Sequence, residues 1–241
     1  MRLDARSRVR PEYVRICVDA LDERLQAGVV GGAQVARPER ETLVARGIGR
    51  ALRNRWFTGL SRYRRATISG PSDTVWMGTF RADELRSLGG WDPRVALNED
   101  FDLNRRYRDA GWVVWFEASL RSQYVPRATL RALALQYFRF GRVKGTWWAR
   151  GQPPNARQLL LLVAPFVSAR LLWRLGRRFG SVQVALVAGA ALAGLDQLGQ
   201  EDSPTSPDER VVAVVAACTS SAAWFAGVAT GMAGERLGVE H

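Results

Sequence analysis

Cysteine and histidine are scarce in this chain of 241 residues. Cys17 and Cys218 are far apart and have no C-x-x-C spacing, and His241 is the only histidine. Structural zinc sites and Cys–His catalysis need these side chains in groups. The sequence therefore argues against both kinds of chemistry.

Lysine is scarcer still, because Lys144 is the only one and arginine supplies nearly all of the positive charge. The formal net charge of +12 predicts attraction to polyanions, such as nucleic acid, anionic lipid headgroups or the phosphates of a nucleotide sugar. Charge alone does not choose among these partners. The arginines are dispersed and follow no nucleic-acid-reading motif, so we do not expect nucleic acid to be the partner.

The first residues lack the apolar stretch of a signal peptide, so we expect any catalytic part to be cytoplasmic. A hydrophobic content of 47% over this length suffices for one globular domain and a membrane-associated tail. A Gly-rich phosphate-binding loop is also missing, since Gly47-Ile48-Gly49 provides only G-x-G.

The spacing of apolar residues predicts helices and strands in alternation over the first half of the chain. Helices are expected at 11–26, 82–88 and 99–110, strands at 29–35, 74–80 and 112–116, and a mobile basic loop at 46–65. Asn98 is expected to cap the third helix, and Gly111 to end it. Glycines within the first strand indicate a bulge or the close approach of another backbone.

The predicted helix at 99–110 begins with three carboxylates, Glu99, Asp100 and Asp102. One interpretation is structural, because acidic side chains favour the positive end of a helix dipole and Asp102 can pair with Arg106. The other is catalytic, because a carboxylate at an exposed helix start can accept a proton from a bound hydroxyl. The pattern alone leaves both open.

Three features of this region resemble the "GGF-D/E … EDxxL…R…G" run of family 2 glycosyltransferases. They are Gly89-Gly90-Trp91-Asp92, the stretch 98–106 and Gly111. The closest likeness is to glucosyltransferases of succinoglycan-type exopolysaccharide synthesis, it covers most of residues 1–150, and it implies a GT-A fold. In that family the aspartate of the ED pair is the general base, which implies this role for Asp100.

The resemblance continues through 124–127 and 136–144, which are similar to the family's "Y-x-PR…QYFRYG-x-x-K". In processive relatives a Q-x-x-R-W signature places its arginine near the donor pyrophosphate and its aromatic ring near the acceptor sugar. By position these residues are Gln136, Arg139 and Phe140, with Phe in place of Trp. The same stretch also has the pattern of an amphipathic helix at a membrane interface, and the two interpretations are compatible.

Leu3-Asp4-Ala5-Arg6 resembles the D-x-D-type element of the family, at which an aspartate helps to bind a divalent cation between the donor phosphates. Asp4 is the matching residue, and Arg6 stands where the second acid would be. The resemblance implies Mg²⁺ or Mn²⁺ as a cofactor. It also implies that the chain begins within a GT-A domain, whose nucleotide-binding part lies in a longer native chain, lies in a partner chain, or has been lost.

The composition changes at Pro153-Pro154 and becomes apolar. We expect an interfacial or re-entrant helix within 151–180 and a transmembrane hairpin within 181–241, with spans at 181–195 and 211–233. Arginines precede the first span and the 200–210 loop is acidic, so the positive-inside rule places that loop outside. The alternatives are a third span or a buried helical subdomain of a soluble protein.

The sequence thus predicts an α/β fold, with a partial GT-A domain at 1–150 and a C-terminal helical transmembrane region. The expected function is a membrane-attached inverting glycosyltransferase at the cell inner (plasma) membrane, acting on a nucleotide-sugar donor and a lipid-linked saccharide acceptor. Glu99 and Asp102 are expected to contribute to substrate binding by orienting their neighbours. The alternative is a noncatalytic, membrane-anchored basic module that binds anionic lipid or a partner chain.

Overall fold

A mixed β-sheet and several long helices make up the described part of the chain. The computed structural model describes residues 1–54, 57, 63, 68–95, 98–152, 154, 156–181, 188, 189, 191, 194 and 206–236. They fall into two units, of which the first comprises Met1–Glu39 and Ser61–Pro126, and the second Arg40–Leu60 and Arg127–His241. The sheet belongs to the first unit and the longest helices to the second.

Five strands form the sheet within the described residues. They are β1 (Ser7–Arg8), β2 (Ala27–Ala36), β3 (Gly70–Pro71), β4 (Trp76–Phe80) and β5 (Val113–Tyr124). The order is β1-β5-β2-β4, and β3 also pairs with β5. Strands β2 and β5 run parallel, whereas the other pairs are antiparallel. The two longest strands therefore form the centre of the sheet.

The helices are divided between the two units. The first unit contains α1 (Tyr13–Glu23), α3 (Ala82–Ser87) and α4 (Glu99–Asp109), and the second contains α2 (Leu43–Arg53), α5 (Leu130–Ala149), α6 (Ala156–Phe179) and α7 (Pro207–Arg236). The structure confirms the mixed α/β class and each helix and strand predicted in the first unit, with small differences at their ends. Strand β5 is the exception in length, since it continues eight residues past the predicted end at Phe116.

Strand β2 is buried on both faces. Consecutive residues of a strand point to opposite sides, so one side chain of β2 faces α1 and the next faces α4. Val30 packs with Tyr13 of α1, whereas Val29 packs with Leu103 and Tyr107 of α4. Because helices cover both faces, the strand reads as a continuous apolar run rather than as an alternation.

The glycines of β2 serve both of the purposes that the sequence left open. The register of β2 shifts between Val30 and Gly32 against β4, and between Gly31 and Ala33 against β5, so a bulge is present. A Cβ added at Gly32 would lie 2.1 Å from the carbonyl oxygen of Leu120 in β5. The close approach of a neighbouring backbone is therefore present as well.

Part of the predicted loop at 46–65 is helical, so that prediction is wrong for the residues of α2. The Thr42 hydroxyl accepts a hydrogen bond from the Ala45 N–H at 3.2 Å, which caps the helix start, and Ile48 is fully buried. Gly47 and Gly49 lie on the buried side, where an apolar side chain would have revealed the helical period. The remainder of the predicted loop lies largely outside the described residues.

Helices α5 and α7 contact each other backbone to backbone. The contact is made by Gly141 and Gly145 of α5 and by Gly227 and Gly231 of α7. A Cβ at any of these positions would lie 2.0 to 2.2 Å from a carbonyl oxygen of the opposite helix. Glycines four residues apart lie on one helix face and allow such an approach, as in the small-xxx-small pairs of membrane helices. Because Gly141 faces Trp224 and Gly145 faces Val228, the two helices run in the same direction.

Helix α7 is also tied to other helices of the second unit at both of its ends. Near its start, Glu209 accepts a hydrogen bond from Arg46 of α2 at 3.4 Å. Near its end, Glu235 accepts one from Arg150, which follows α5, at 2.8 Å. Helix α7 is thus held along its length by α2 and α5.

Among the described residues, one helix is long and apolar enough to cross a membrane, by length and composition. It is the segment Pro207–Glu235 of α7, which is 29 residues long. It includes the predicted span at 211–233. The other predicted span, at 181–195, lies largely outside the described residues. Helix α6 continues through Pro165 and Arg170, and its place in a membrane stays a prediction, as do the domain boundaries at 150 and 180.

We predict that Gly141→Ala destabilises the second unit by about 1–3 kcal/mol, because the new methyl group forces α5 and α7 apart. The matched control is Gly189→Ala, at which a Cβ would meet nothing within 4 Å. Alanine favours a helix more than glycine does, so the control should keep or slightly raise stability. Denaturant unfolding followed by far-UV circular dichroism measures both. Equal stability of the two variants would contradict the backbone contact.

Candidate active site

The N-terminal segment lies beside β4 and is fixed there by its backbone. The Arg2 N–H donates a hydrogen bond to the Gly78 carbonyl oxygen at 3.0 Å, and the Asp4 N–H contacts the Met77 sulfur at 3.4 Å. Met77 itself has a φ of 57°, in the left-handed region that a large side chain rarely adopts. This geometry places Arg2 and Asp4 at the edge of the sheet next to a strained position of β4.

The side chain of Arg2 reaches the first turn of α4 and bridges two of its carboxylates. One guanidinium nitrogen binds Oδ1 of Asp100, and the other binds Oε1 of Glu99. The side chains of Arg2, Glu99 and Asp100 are 29%, 26% and 34% exposed, so all three are half-buried. The residue predicted as the general base therefore has a cation as its partner, contributed from 98 positions away in the sequence.

The electrostatic environment of Asp100 favours its protonated form. Burial raises the pKa of this carboxyl above its ordinary value, because it disfavours the charged state, and the neighbouring charge of Glu99 acts in the same direction. The positive charge of Arg2 opposes both effects without cancelling them. Asp100 thus binds a proton more readily than an ordinary aspartate does.

Two buried side-chain nitrogens near the start of α4 meet no acceptor at hydrogen-bond distance and angle among the described residues. They are the indole Nε1 of Trp91 and the side-chain Nδ2 of Asn98. The Trp91 indole lies close enough to Asp100 to favour the carboxylate form. Asn98 stands at the N-cap position of α4 as expected, and its carbonyl oxygen accepts the Asp102 N–H at 3.0 Å. Its φ is 61° and its side chain makes no capping hydrogen bond, so the expected side-chain cap is absent. The left-handed backbone turns the side chain away from the helix N–H groups.

Asp102 has a structural position in the same turn. It is buried and accepts hydrogen bonds from Arg105 and Arg106 at 3.0 Å each, which confirms the predicted pair with Arg106. Arg106 also donates to the carbonyl oxygens of Leu88 and Gly90 at 2.6 Å. The network ties the turn that carries Trp91 to helix α4.

The two glycines of that turn are required by its shape. Gly89 and Gly90 have φ values of 76° and 63°, which residues with a side chain rarely adopt. They follow the end of α3 and terminate it. The reversal that they make brings Trp91 back toward Asp100.

Asp4 provides a single carboxylate, because Arg6 stands at the position where a second acidic residue would be. The Asp4 carboxylate accepts a hydrogen bond from the Arg6 N–H at 3.2 Å, while the Arg6 side chain donates to the carbonyl oxygens of Val125 and Pro126 at 3.0 and 2.9 Å. The described residues contain no group of three or more His, Cys, Asp or Glu that could hold a metal ion. One carboxylate fits only a cation whose other ligands come from a phosphate-bearing substrate and water.

Gln136, Arg139 and Phe140 lie together on α5 in the second unit. The Gln136 side-chain oxygen accepts a hydrogen bond from Arg127 at 3.4 Å. The Phe140 ring packs edge to face on the Tyr137 ring, with 6.0 Å between the ring centroids. Arg139 is exposed. The structure therefore groups the predicted site residues by unit, with Asp4, Glu99, Asp100 and Asp102 in the first and these three in the second.

Sequence reasoning missed Arg2 and Trp91 as neighbours of Asp100. Arg2 belongs to no motif, and only the fold brings it to α4. Trp91 was noted only as part of the motif that carries the family resemblance, and its buried N–H is visible only in three dimensions. The left-handed backbone of Asn98 had no sequence signal, because asparagine is favoured at helix caps and is also tolerated in left-handed positions.

Comparison with known proteins gives one distant relationship. No family model matches the chain. The chain is 29% identical over 231 residues to the Succinoglycan biosynthesis protein ExoA of Rhizobium meliloti (strain 1021). The aligned region covers 94% of this chain and 67% of that protein. The similarity thus extends over nearly the whole chain rather than over one motif.

We predict that Arg106→Ala destabilises the first unit by roughly 2–4 kcal/mol, because it removes one of the two arginine donors to the buried Asp102 and the donor to the carbonyl oxygens of Leu88 and Gly90. The matched control is Arg86→Ala, which removes an exposed pair with Asp83 whose two side chains are 74% and 93% exposed. Such surface pairs contribute little to stability. Chemical denaturation of both variants is the measurement, and a loss of equal size in the control would contradict the network.

The raised pKa of Asp100 predicts a pH-dependent stability. The folded state holds the proton more tightly than the unfolded chain, so this group's stabilisation is complete below the ordinary aspartate pKa of about 3.9 and is lost as the pH rises through the folded pKa. The gain in stability on Asp100→Asn should therefore grow with pH over that window and then stay constant. Unfolding titrations at several pH values measure it, with Asp109→Asn, an exposed carboxylate of the same helix, as the control. A pH-independent difference would contradict the assignment.

Proposed function

We propose that this chain acts as a membrane-attached, inverting glycosyltransferase of the family 2, GT-A type in polysaccharide synthesis. Its donor is a nucleotide sugar and its acceptor a saccharide, which we propose to be lipid-linked. The name of the relative, a protein of succinoglycan biosynthesis, supports the polysaccharide context. The motif around Asp100 supports the reaction type.

The observation that carries the proposal is the environment of the Asp100 carboxylate. It lies at the start of α4, half-buried, bound by Arg2 and faced by the turn with Trp91. A base whose pKa is raised above its ordinary value works better near neutral pH than an unperturbed aspartate does. An aspartate with a purely structural role, such as Asp102, is instead saturated with hydrogen bonds from its own helix.

In the proposed reaction the acceptor hydroxyl oxygen attacks the anomeric carbon on the face opposite the leaving group. A bond forms between that oxygen and the anomeric carbon, and the bond from this carbon to the phosphate oxygen of the donor breaks. The hydroxyl proton passes to Asp100, and the bonding electrons leave with the nucleoside diphosphate. Glu99 and Asp102 orient their neighbours and do not react.

The departing diphosphate needs positive charge, and we propose two sources. Asp4 is the residue that would hold a Mg²⁺ or Mn²⁺ ion arriving with the donor, and the ion would offset the charge of the phosphates. Arg139, exposed on α5, has the planar donor fork that suits phosphate oxygens. Phe140 offers a ring face to a sugar, and Gln136 supports this part of the helix through Arg127.

We further propose that the chain is attached to the inner membrane through its C-terminal apolar helices, with the first unit in the cytoplasm. The length and apolar character of α7 support attachment. Arginines near the end of α6 support a cytoplasmic location for that end.

The decisive experiment is sugar transfer by membranes containing the full chain, with labelled nucleotide sugars, beginning with UDP-glucose, and a lipid extract as acceptor. We predict that Asp100→Asn lowers transfer about 100-fold or more, which is the usual contribution of a positioned base. Asp109→Asn should leave transfer unchanged, and both variants should remain in the membrane fraction. Transfer that is insensitive to Asp100→Asn would overturn the proposed mechanism.

The competing function is a noncatalytic basic module at the membrane. The net charge of +12 and the apolar α7 favour it. In that case no donor would be consumed, and Asp100→Asn would have no effect. The Asp100→Asn variant would sediment with phosphatidylglycerol vesicles to the same extent as the wild type. Loss of transfer with intact vesicle binding would exclude this alternative.

A further inference from the structure

Arg2 is a charged residue that no sequence motif assigns to a role. Its backbone N–H is fixed to the Gly78 carbonyl oxygen at 3.0 Å, and its side chain extends to α4. There it binds one oxygen of Glu99 and one oxygen of Asp100. Arg2 therefore contacts Asp100 through Oδ1 and does not itself occupy the other carboxylate oxygen.

The two carboxylates that Arg2 joins belong to consecutive residues and repel each other. Their half-burial adds to the cost of ionising both. The charged groups that act on Asp100 among the described residues are Glu99 from α4 and Arg2 from the N-terminal segment, while the Trp91 indole faces it from the preceding turn. Arg2 is thus the group that offsets the repulsion.

Arginine is chemically suited to this task. Its guanidinium group stays protonated at every relevant pH, and its planar fork can bind two separate acceptors at the same time. A lysine ammonium is a point charge that is strongly hydrated, and it holds two carboxylates in a fixed arrangement less well. The fixed backbone of Arg2 also limits how far the guanidinium can move.

We propose that Arg2 is a positioning residue, which holds the Asp100 carboxylate charged and oriented for proton transfer and links the segment that carries Asp4 to the start of α4. Its effect on catalysis rests on the glycosyl transfer proposed above. Arg2 acts through Asp100 and not on the substrate. The contact itself, and its effect on the proton affinity of Asp100, exist whether or not the chain transfers a sugar.

The first test is the titration of Asp100 in the full chain in detergent, by NMR of ¹³C-labelled aspartate, with Asp100→Asn identifying the signal. Arg2→Gln should raise the pKa of Asp100 by about one unit, a tenfold change in proton affinity, because Glu99 then acts unopposed. Arg2→Lys should give a smaller rise. Arg10→Gln, which removes an exposed arginine of the same segment, should give none.

An unchanged Asp100 pKa in Arg2→Gln would overturn the proposal. If that variant does not fold, Arg2→Lys decides the question alone, because it keeps the charge but loses the double contact. A shift of about twofold or more in proton affinity then supports the role, and no shift overturns it.

The second test is the pH dependence of sugar transfer from UDP-glucose. In Arg2→Gln the acid limb of the rate–pH profile should move to higher pH by the amount found in the titration. In Arg2→Lys the limb should lie close to its wild-type pH. A rate that rises in Arg2→Gln at every pH would mean that the ion pair restrains the base, which would overturn the proposal. Failure of the proposed function looks different, because wild type and Asp100→Asn would both be inactive while the pKa shift remained.

Discussion

The parallel pairing of β2 with β5, buried between α1 and α4, is the constraint on which the candidate site depends. Val29 and Val30 are both fully buried, on opposite faces of β2. A slip of β2 by one residue would therefore move each of its side chains to the opposite face of the sheet. The register fixes β5, and the Gly111 turn fixes α4 immediately before β5. Strand β4, on the other side of β2, then fixes the segment that carries Arg2 and Asp4. The position of Asp100 relative to Arg2 follows from this order of strands.

Arginine does much of the internal hydrogen bonding in the first unit. Arg6 binds the backbone after β5, Arg81 binds the carbonyl oxygens of Leu21 and Ala27, and Arg106 binds the turn after α3. A guanidinium with several donors can join elements whose carbonyl oxygens end a helix or a strand. The high arginine content therefore has a structural cause in addition to any attraction for phosphate. The net charge overstates the number of cations that face a polyanionic partner.

The sequence was sufficient where the signal was local. Helix α4 has acids in its first turn, Gly111 beyond its end and a pair one turn apart between Asp102 and Arg106, and all of these features were predictable. Helix α2 was missed because two of its buried positions are Gly47 and Gly49, which carry no apolar side chain. The side chain of Asn98 does not cap α4 because its backbone is left-handed, which no local pattern indicated. The Arg2 contact could not be found because it joins distant segments. The roles of Asp4, Arg139 and Phe140 are predicted by resemblance alone.

The two ion pairs at the ends of α7 have a consequence for any bilayer around it. If α7 crossed once, Glu209 and Glu235 would face opposite aqueous compartments, and their partners Arg46 and Arg150 would have to do the same. The chain between Arg46 and Arg150 would then have to cross the bilayer an odd number of times. The long helix within that stretch is α5, which carries Arg139 and other cations that are costly to place in hydrocarbon. Insertion of α7 and the folded contacts of the second unit are therefore coupled equilibria. Whatever moves this helix across a membrane must also break an ion pair or carry the charges of α5 with it.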